Sequence, residues 1–508
     1  MDRLGMIGQK LVTGLPGTEI TDEFRALVKE YKVGNVILFA RNIESPAQLR
    51  RLCGDLQQLI MAETGLPAFI AIDQEGGNLA RLHQPATVTP GAMGLAATGN
   101  PDFAREAGNI TGKELLACGV NMNLAPVMDV NNNPDNPVIG ARSFGSRPEN
   151  VAAFACAMAD GLRRAGVVEC AKHFPGHGDT QVDSHLALPV IDKSKEQLLS
   201  CELIPFARAV QEGVSAVMTA HILFPQLESG RVPATRSPAI LQGVLRGDLG
   251  FEGLIISDCM MMDAISRFYG TVEGTVAAVK AGVDLVLICQ SNPLTADAAK
   301  ALMDSLTDEE LEASFRRIER VKGRLTKQAY PLECVGCEEH LAKAREMGRA
   351  SLTFVGGPSA GLPSLGDNPL FVGCEPYRST QAAEPSSCTG NLPRSLQRQF
   401  GGDALEITPD PDDETIAAVL ERAQLHSALV MSTFNGRQLP QQQKLIHSLK
   451  TLDIPVVLIA MRDPYDLMGM TDKCWCLATY DYTALSVEVL CAALVGKQEM
   501  QGTLPVEL

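Results

Sequence analysis

Residues 166–185 read GVVECAKHFPGHGDTQVDSH. The first six form a short run that is apolar but for Glu169 and partly β-branched, the composition of a strand buried on both faces. The strand runs into a turn with one proline and two glycines. Residues 172–185 then carry Lys172, three of the chain's eight histidines and two aspartates. A buried strand that delivers proton-carrying groups at its C-terminal end is the mark of a parallel α/β barrel, whose chemistry gathers on the loops after the strands. Seven similar runs surround it: QKLVTG (9–14), GNVILFA (34–40), PAFIAI (67–72), VNMNLAP (120–126), VSAVMTA (214–220), GLIIS (253–257) and VDLVLIC (283–289). With helical patterns between them, eight such runs predict a (β/α)8 TIM-like barrel rather than an open sheet.

The last barrel helix is signalled by Thr307-x-x-Glu310, the form of a capping box, followed by Leu311, Phe315, Ile318 and Leu325 at helical spacing. AYPLECVGCEEH (329–340) reads as a connection. Beyond it LTFVGG, PLFVGCE, SALVMSTFN, IPVVLIA and CWCLATYD alternate with helical segments and predict a smaller, layered (sandwich) α/β domain. The expected division is a barrel over 1–335, a linker and lead-in helix over 336–350, and a C-terminal α/β domain over 351–508. PDPDDE (409–414) reads as a solvated acidic turn.

Composition narrows the function. A 45% hydrophobic, 20% charged chain of 508 residues can bury a sizeable core. A net charge of −16 without a basic cluster argues against nucleic acid or an anionic membrane as partner. No apolar run reaches the roughly 18–20 residues of a membrane helix, and MDRLGMIGQKLVTG lacks a signal peptide's basic start and apolar block. Fourteen cysteines, scattered and mostly in apolar runs, fit reduced thiols. The expected localisation is therefore cytoplasmic. Cys334-x-x-Cys337 near His340 has metal-ligand spacing but too few neighbouring ligands for a zinc knuckle.

The strand-end rule places a cleft. Strand three leads into Asp73-Gln74-Glu75-Gly76-Gly77, strand four into Asp129, strand five into Lys172 and His173, strand six into His221, and strand seven into Ser257-Asp258. Asp284 lies at the opposite end of its strand and is left out. Carboxylates beside basic side chains suit a polyhydroxylated ligand. Asp258 is a candidate carboxylate nucleophile, and Asp183 with His185 a candidate acid/base pair, since an aspartate can fix a histidine's tautomer and raise its basicity. Asp258 could instead cap a helix, His173 could be a core histidine, and His177 and Asp179 could merely build the loop. The methionines 260–262 read as core or pocket wall.

KHFPGHGDTQVDSH (172–185), AIDQEGG (71–77), NLAPVMDVNNNPDNPVIGARSFG (123–145) and ISDCMMMDAI (256–265) together resemble bacterial β-N-acetylglucosaminidases of glycoside hydrolase family 3. The resemblance covers nearly the whole barrel in order and is weaker beyond it. It implies Asp258 as nucleophile, His185 assisted by Asp183 as acid/base, and Asp73, Arg81, Arg142, Lys172 and His173 as sugar-binding residues. It also implies retaining, exo-acting hydrolysis of terminal β-linked N-acetylglucosamine with no metal or organic cofactor, in muropeptide recycling, by a monomer or homodimer. Asn78, where an arginine is common, and Cys259, where an acid often follows the nucleophile, depart from the pattern and bear on the leaving group. Phosphorolysis, β-glucosidase activity, a metal-dependent hydrolase using His173, His177, Asp179, Asp183 and His185, and a sugar-binding or scaffold protein with a dead site are the competing readings.

Overall fold

The structure is a computed structural model that describes residues 1–181, 188–325, 329–374, 376–377 and 392–508. Its first part is a closed barrel of eight parallel strands. They are β1 (Leu11–Gly14), β2 (Asn35–Leu38), β3 (Phe69–Ile72), β4 (Met122–Asn123), β5 (Val168–Phe174), β6 (Ala216–Thr219), β7 (Leu254–Cys259) and β8 (Leu285–Ile288). Each coincides with one apolar run of the sequence. Closure is made where β1 pairs with β8, Leu11 opposite Val286 and Thr13 opposite Ile288.

The alternation that a strand imposes explains why these runs are apolar throughout. Val12, Ile37, Phe69, Met122, Cys170 and Leu285 point inward and pack with one another in the barrel's interior. Their neighbours Leu11, Val36, Ile70 and Val286 point outward into the larger core beneath the helices. Both faces are dry, so neither can carry a polar stripe.

The N-terminal end of the barrel is sealed by an ion cluster. Asp284 is fully buried and accepts hydrogen bonds from Arg246 Nη2 (2.9 Å), Arg317 Nε (2.9 Å), Ser314 Oγ (2.7 Å) and the Ile255 amide (3.0 Å). This aspartate belongs to stability, at the end of a barrel remote from its chemistry. Ser314 and Arg317 sit on the helix Asp308–Lys322, which begins with the Thr307/Glu310 capping box.

The second part is a six-stranded sheet built from β9 (Thr353–Gly356), β10 (Pro369–Gly373), β11 (Asp403–Glu406), β12 (Ala428–Thr433), β13 (Val456–Ala460) and β14 (Trp475–Ala478). The spatial order is β11-β10-β12-β13-β14-β9, parallel except for β9 against β14. Leu370, Leu429 and Leu458 face one core and Phe371, Val430 and Ile459 the other, so helices cover both sides. Strand β11 is absent from the sequence reading. Its residues, DALE, are half-exposed on the sheet's edge and bury no face continuously, so they form no apolar run. The acidic 409–414 segment is more than a solvated turn. Asp412 caps the helix Asp413–Ala423, and Asp410 accepts from the amides of Gln441 and Gln442.

The connection between the sheets is seated on the barrel by one carboxylate. Buried Glu114 accepts from the Gly336 amide (3.0 Å), pairs with His340 Nδ1 (2.8 Å) and accepts from the Thr87 amide (2.8 Å). His340 is thus engaged with Glu114.

Asp284→Ala would leave two cations over a buried void. We expect it to lower unfolding free energy by about 3 kcal/mol, the low end for breaking a buried ion pair because both arginines keep some solvent. Equilibrium denaturation checks this, and an unchanged midpoint would count against the ion cluster's role.

Candidate active site

At the C-terminal end of the barrel, strands β2 to β8 or the loops after them open into a cavity of about 180 Å3. Its floor is the top of the inward-facing layer, Ile37, Leu124, Met218 and Leu287. Drug-sized ligands occupy roughly 300–1,000 Å3, so this space suits a single small ring.

The walls are charged. Lys172, from β5, pairs with Asp73 Oδ1 at 2.8 Å and with Glu75 Oε1 at 2.6 Å, and its side chain is only 3% exposed. Arg142 grips Glu75 with two parallel bonds, Nε to Oε2 (3.0 Å) and Nη2 to Oε1 (2.9 Å). Arg81 Nη2 lies 3.7 Å from Asp73 Oδ2. Burial alone would push Glu75 up, but Arg142 and Lys172 more than reverse it and hold its carboxyl well below the usual range. The same contacts raise Lys172 and Arg142 against the downward pull of burial.

A second group orients the histidines. Asp129, fully buried, accepts from the amides of His173 (3.2 Å) and His177 (2.7 Å) and pairs with His173 Nδ1 at 2.7 Å. Burial would raise its pKa, but His173 outweighs that and the net direction is down. With Nδ1 committed to Asp129, His173 keeps Nε2 for the cavity it lines. His177 is pushed down to about 4 by burial and by its neighbour His173, so it is neutral near pH 7. Its Nδ1 meets Thr180 Oγ1 at 2.9 Å. Gly178 is required by contact: a Cβ there would stand 1.7 Å from the Val130 carbonyl oxygen. Asp179 pairs with Lys193 (2.6 Å), which marks it as a loop-building residue.

Asp258 closes the opposite wall from the end of β7, partly exposed, its Oδ1 accepting from the Cys259 amide at 2.7 Å. His221 Nε2 donates to the Cys259 carbonyl (3.1 Å), so this histidine holds the backbone next to Asp258. Met261 and Met262 line the cavity, whereas Met260 is core. Asp73, Arg81, Arg142, Lys172, His173 and Asp258 therefore share one cavity. Asp183 and His185 lie outside the described residues.

The family model described as the glycosyl hydrolase family 3 N-terminal domain matches residues 3–321. The chain belongs to glycosyl hydrolase family 3. Among its relatives in this family of glycosidases, a β-hexosaminidase A of Pseudoalteromonas piscicida is 36% identical over 386 residues, 70% of this chain and 64% of that protein. The chain thus spans slightly less than two thirds of that relative. A β-hexosaminidase of Alkalilimnicola ehrlichii is 38% identical over 320 residues, 62% of this chain and 88% of that protein. Among solved structures, a glycoside hydrolase family 3 β-N-acetylglucosaminidase from a Paenibacillus species superposes with a TM-score of 0.93 at 36% identity, covering 100% of this chain and 99% of that one.

Glu75 is the hub of the ion array, and Phe39 joins the cavity beside the charged residues that the sequence marks. That ring lies next to the end of the second apolar run and lines the cavity, with the Arg41 and Arg81 guanidinium groups 4.4 and 5.9 Å from its centroid. Cys289 and Gln290, after β8, line it too. All three stand at strand ends, but as uncharged residues in or beside apolar runs they carry no signal in the sequence that sets them apart from core.

Because Glu75 is depressed in the fold, its stabilisation is complete above the ordinary glutamate value near 4.5 and drains away as the pH falls toward its folded pKa. Glu75→Gln should lower stability at neutral pH and flatten its loss between about pH 5 and about pH 3. Denaturant midpoints across that window check it; an unchanged slope would contradict the depressed carboxylate.

Proposed function

We propose that this glycosidase is a retaining, exo-acting β-N-acetylglucosaminidase. The observation that carries the reading is the shared cavity: a candidate nucleophile, Asp258, faces an ordered array of Asp73, Glu75, Lys172, Arg142 and His173 across room for one ring. The apolar floor blocks a continuing chain, which favours attack on a terminal residue. The names carried by the relatives support the acetamido sugar.

In this mechanism the Asp258 carboxylate attacks the anomeric carbon of the terminal sugar as the glycosidic oxygen takes a proton from His185. A covalent glycosyl ester forms on Asp258 and the aglycone departs. His185, now the base and steadied by Asp183, removes a proton from water. The water oxygen attacks the same carbon, frees Asp258 and restores the original β configuration. Lys172, Asp73, Arg81, Arg142 and His173 hold the hydroxyl groups, presenting donors and acceptors already fixed by their own pairing. No step calls for a metal or organic cofactor. The biological setting we propose is cytoplasmic trimming of muropeptides. Among the described residues no helix is long and apolar enough to cross a membrane.

Initial rates on aryl β-glycosides of N-acetylglucosamine and of glucose, each with and without phosphate, test the substrate and the acceptor. Preference for the acetamido sugar with free sugar as product is expected. Preference for glucose would refute the substrate, and a phosphate-dependent sugar 1-phosphate would make the enzyme a phosphorylase. Asp258→Ala should abolish turnover of every leaving group. His185→Ala should cost about 10²–10⁴-fold on poor leaving groups, the usual contribution of a general acid, and far less on activated aryl ones. Equal losses on both would remove the acid role.

A further inference from the structure

Among the described residues the barrel supplies all those that line the cavity, yet the loop carrying Arg142 is held from outside the barrel. Its turn, Gly140–Arg142, leans on Asp463, which follows β13 of the second sheet. The Ala141 amide donates to Asp463 Oδ1 at 2.6 Å. Gly140 has φ +44, and a Cβ there would come within 2.3 Å of that same oxygen, so the carboxylate reaches the turn only because residue 140 is glycine. Asp463 is buried, and Asn435 beside it is satisfied when its amide nitrogen donates to Oδ2 (2.9 Å) and its oxygen accepts from Arg462 Nη1 (2.5 Å).

The same face of the second sheet grips the loop elsewhere. Asn131 Nδ2 donates to Tyr465 Oη at 2.9 Å, and Arg437 Nε pairs with Asp135 at 2.7 Å. Asp466 in turn fixes the Arg437 segment by accepting from the amides of Gly436 (2.9 Å) and Arg437 (2.8 Å). Ala141 itself packs into the second sheet's core. The residue after it, Arg142, enters the cavity and grips Glu75.

We propose that Asp463 is a positioning residue for the terminal-sugar site, by which the second domain fixes the Gly140–Arg142 turn and so aims Arg142 at Glu75 and the sugar. The proposal rests on the reading of the cavity as a sugar site. Asp463 reaches the cavity only through the Ala141 amide and touches neither substrate nor Asp258. Its loss should therefore weaken a contact made equally in the ground and transition states, which appears in KM and leaves kcat nearly unchanged.

The test is a double-mutant cycle with Arg142, read as KM and kcat on an aryl N-acetyl-β-glucosaminide with the full chain. Asp463→Ala should raise KM about tenfold or more and change kcat less than about threefold. Asp463→Asn keeps an oxygen for the Ala141 amide and should recover most of the KM. In an Arg142→Ala background, Asp463→Ala should add less than about twofold, because the residue it aims is gone. Should Asp463→Ala fail to fold, Gly140→Ala, which drives a methyl against the same oxygen, should give the same KM rise and the same silence in the Arg142→Ala background. An undisturbed KM in folded Asp463→Ala, or equal effects in both backgrounds, would overturn the proposal while leaving the sugar site standing. An Arg142→Ala variant with native KM would overturn the sugar-site reading and this proposal with it.

Discussion

The site depends on taking charges out of water at the ends of the barrel strands. Lys172, Glu75 and Arg142 are each nearly inaccessible, and an isolated ion in such a place costs several kcal/mol. They remain charged because each has a partner within hydrogen-bonding distance: Glu75 answers both Lys172 and Arg142, and Asp73 takes the other side of Lys172. The array is cooperative for that reason. Removing one member leaves the next uncompensated, so the strand ends and loops that carry them, β3, β5 and the 129–147 segment, must be in register before any of the charges is tolerable. A ligand with several hydroxyl groups then meets donors and acceptors that need little reorganisation.

This demand for register links the two parts of the chain. Loops after β3 and β4 are long, and a long loop is the weakest place to mount a buried charge. The second sheet steadies both. It reaches the 129–147 segment through Asp463, Tyr465 and Arg437, and the 73–91 segment through the Tyr482 amide, which donates to Asn78 Oδ1 (2.9 Å), and through Asp481, which accepts from the Gly91 amide (3.3 Å). The Asn78 oxygen is spent on this inter-domain bond.

Much of the fold was legible because both faces of every barrel strand are dry. That forces predominantly apolar runs, and a charged residue then stands out at the strand's end. Lys172, His173, Asp73 and Asp258 could be found this way. Arg81 and Arg142 could not, since they lie on loops nine and nineteen residues beyond the last strand residues, Ile72 and Asn123, where no periodicity operates; only the resemblance pointed to them. Strand β11 stayed hidden for the converse reason, being half-wet on a sheet edge.

The sequence by itself determined the barrel, the existence of a second α/β layer, the family, and which strand ends carry charged side chains, because burial of apolar faces and the order of motifs are local properties of the chain. Only the tertiary structure decided which charges pair. Lys172 meets Asp73 across 99 residues and Ala141 meets Asp463 across 322. Such partnerships are set by where the closed barrel and the docked sheet bring backbone together, and electrostatic pairing at three ångströms leaves no trace in local sequence.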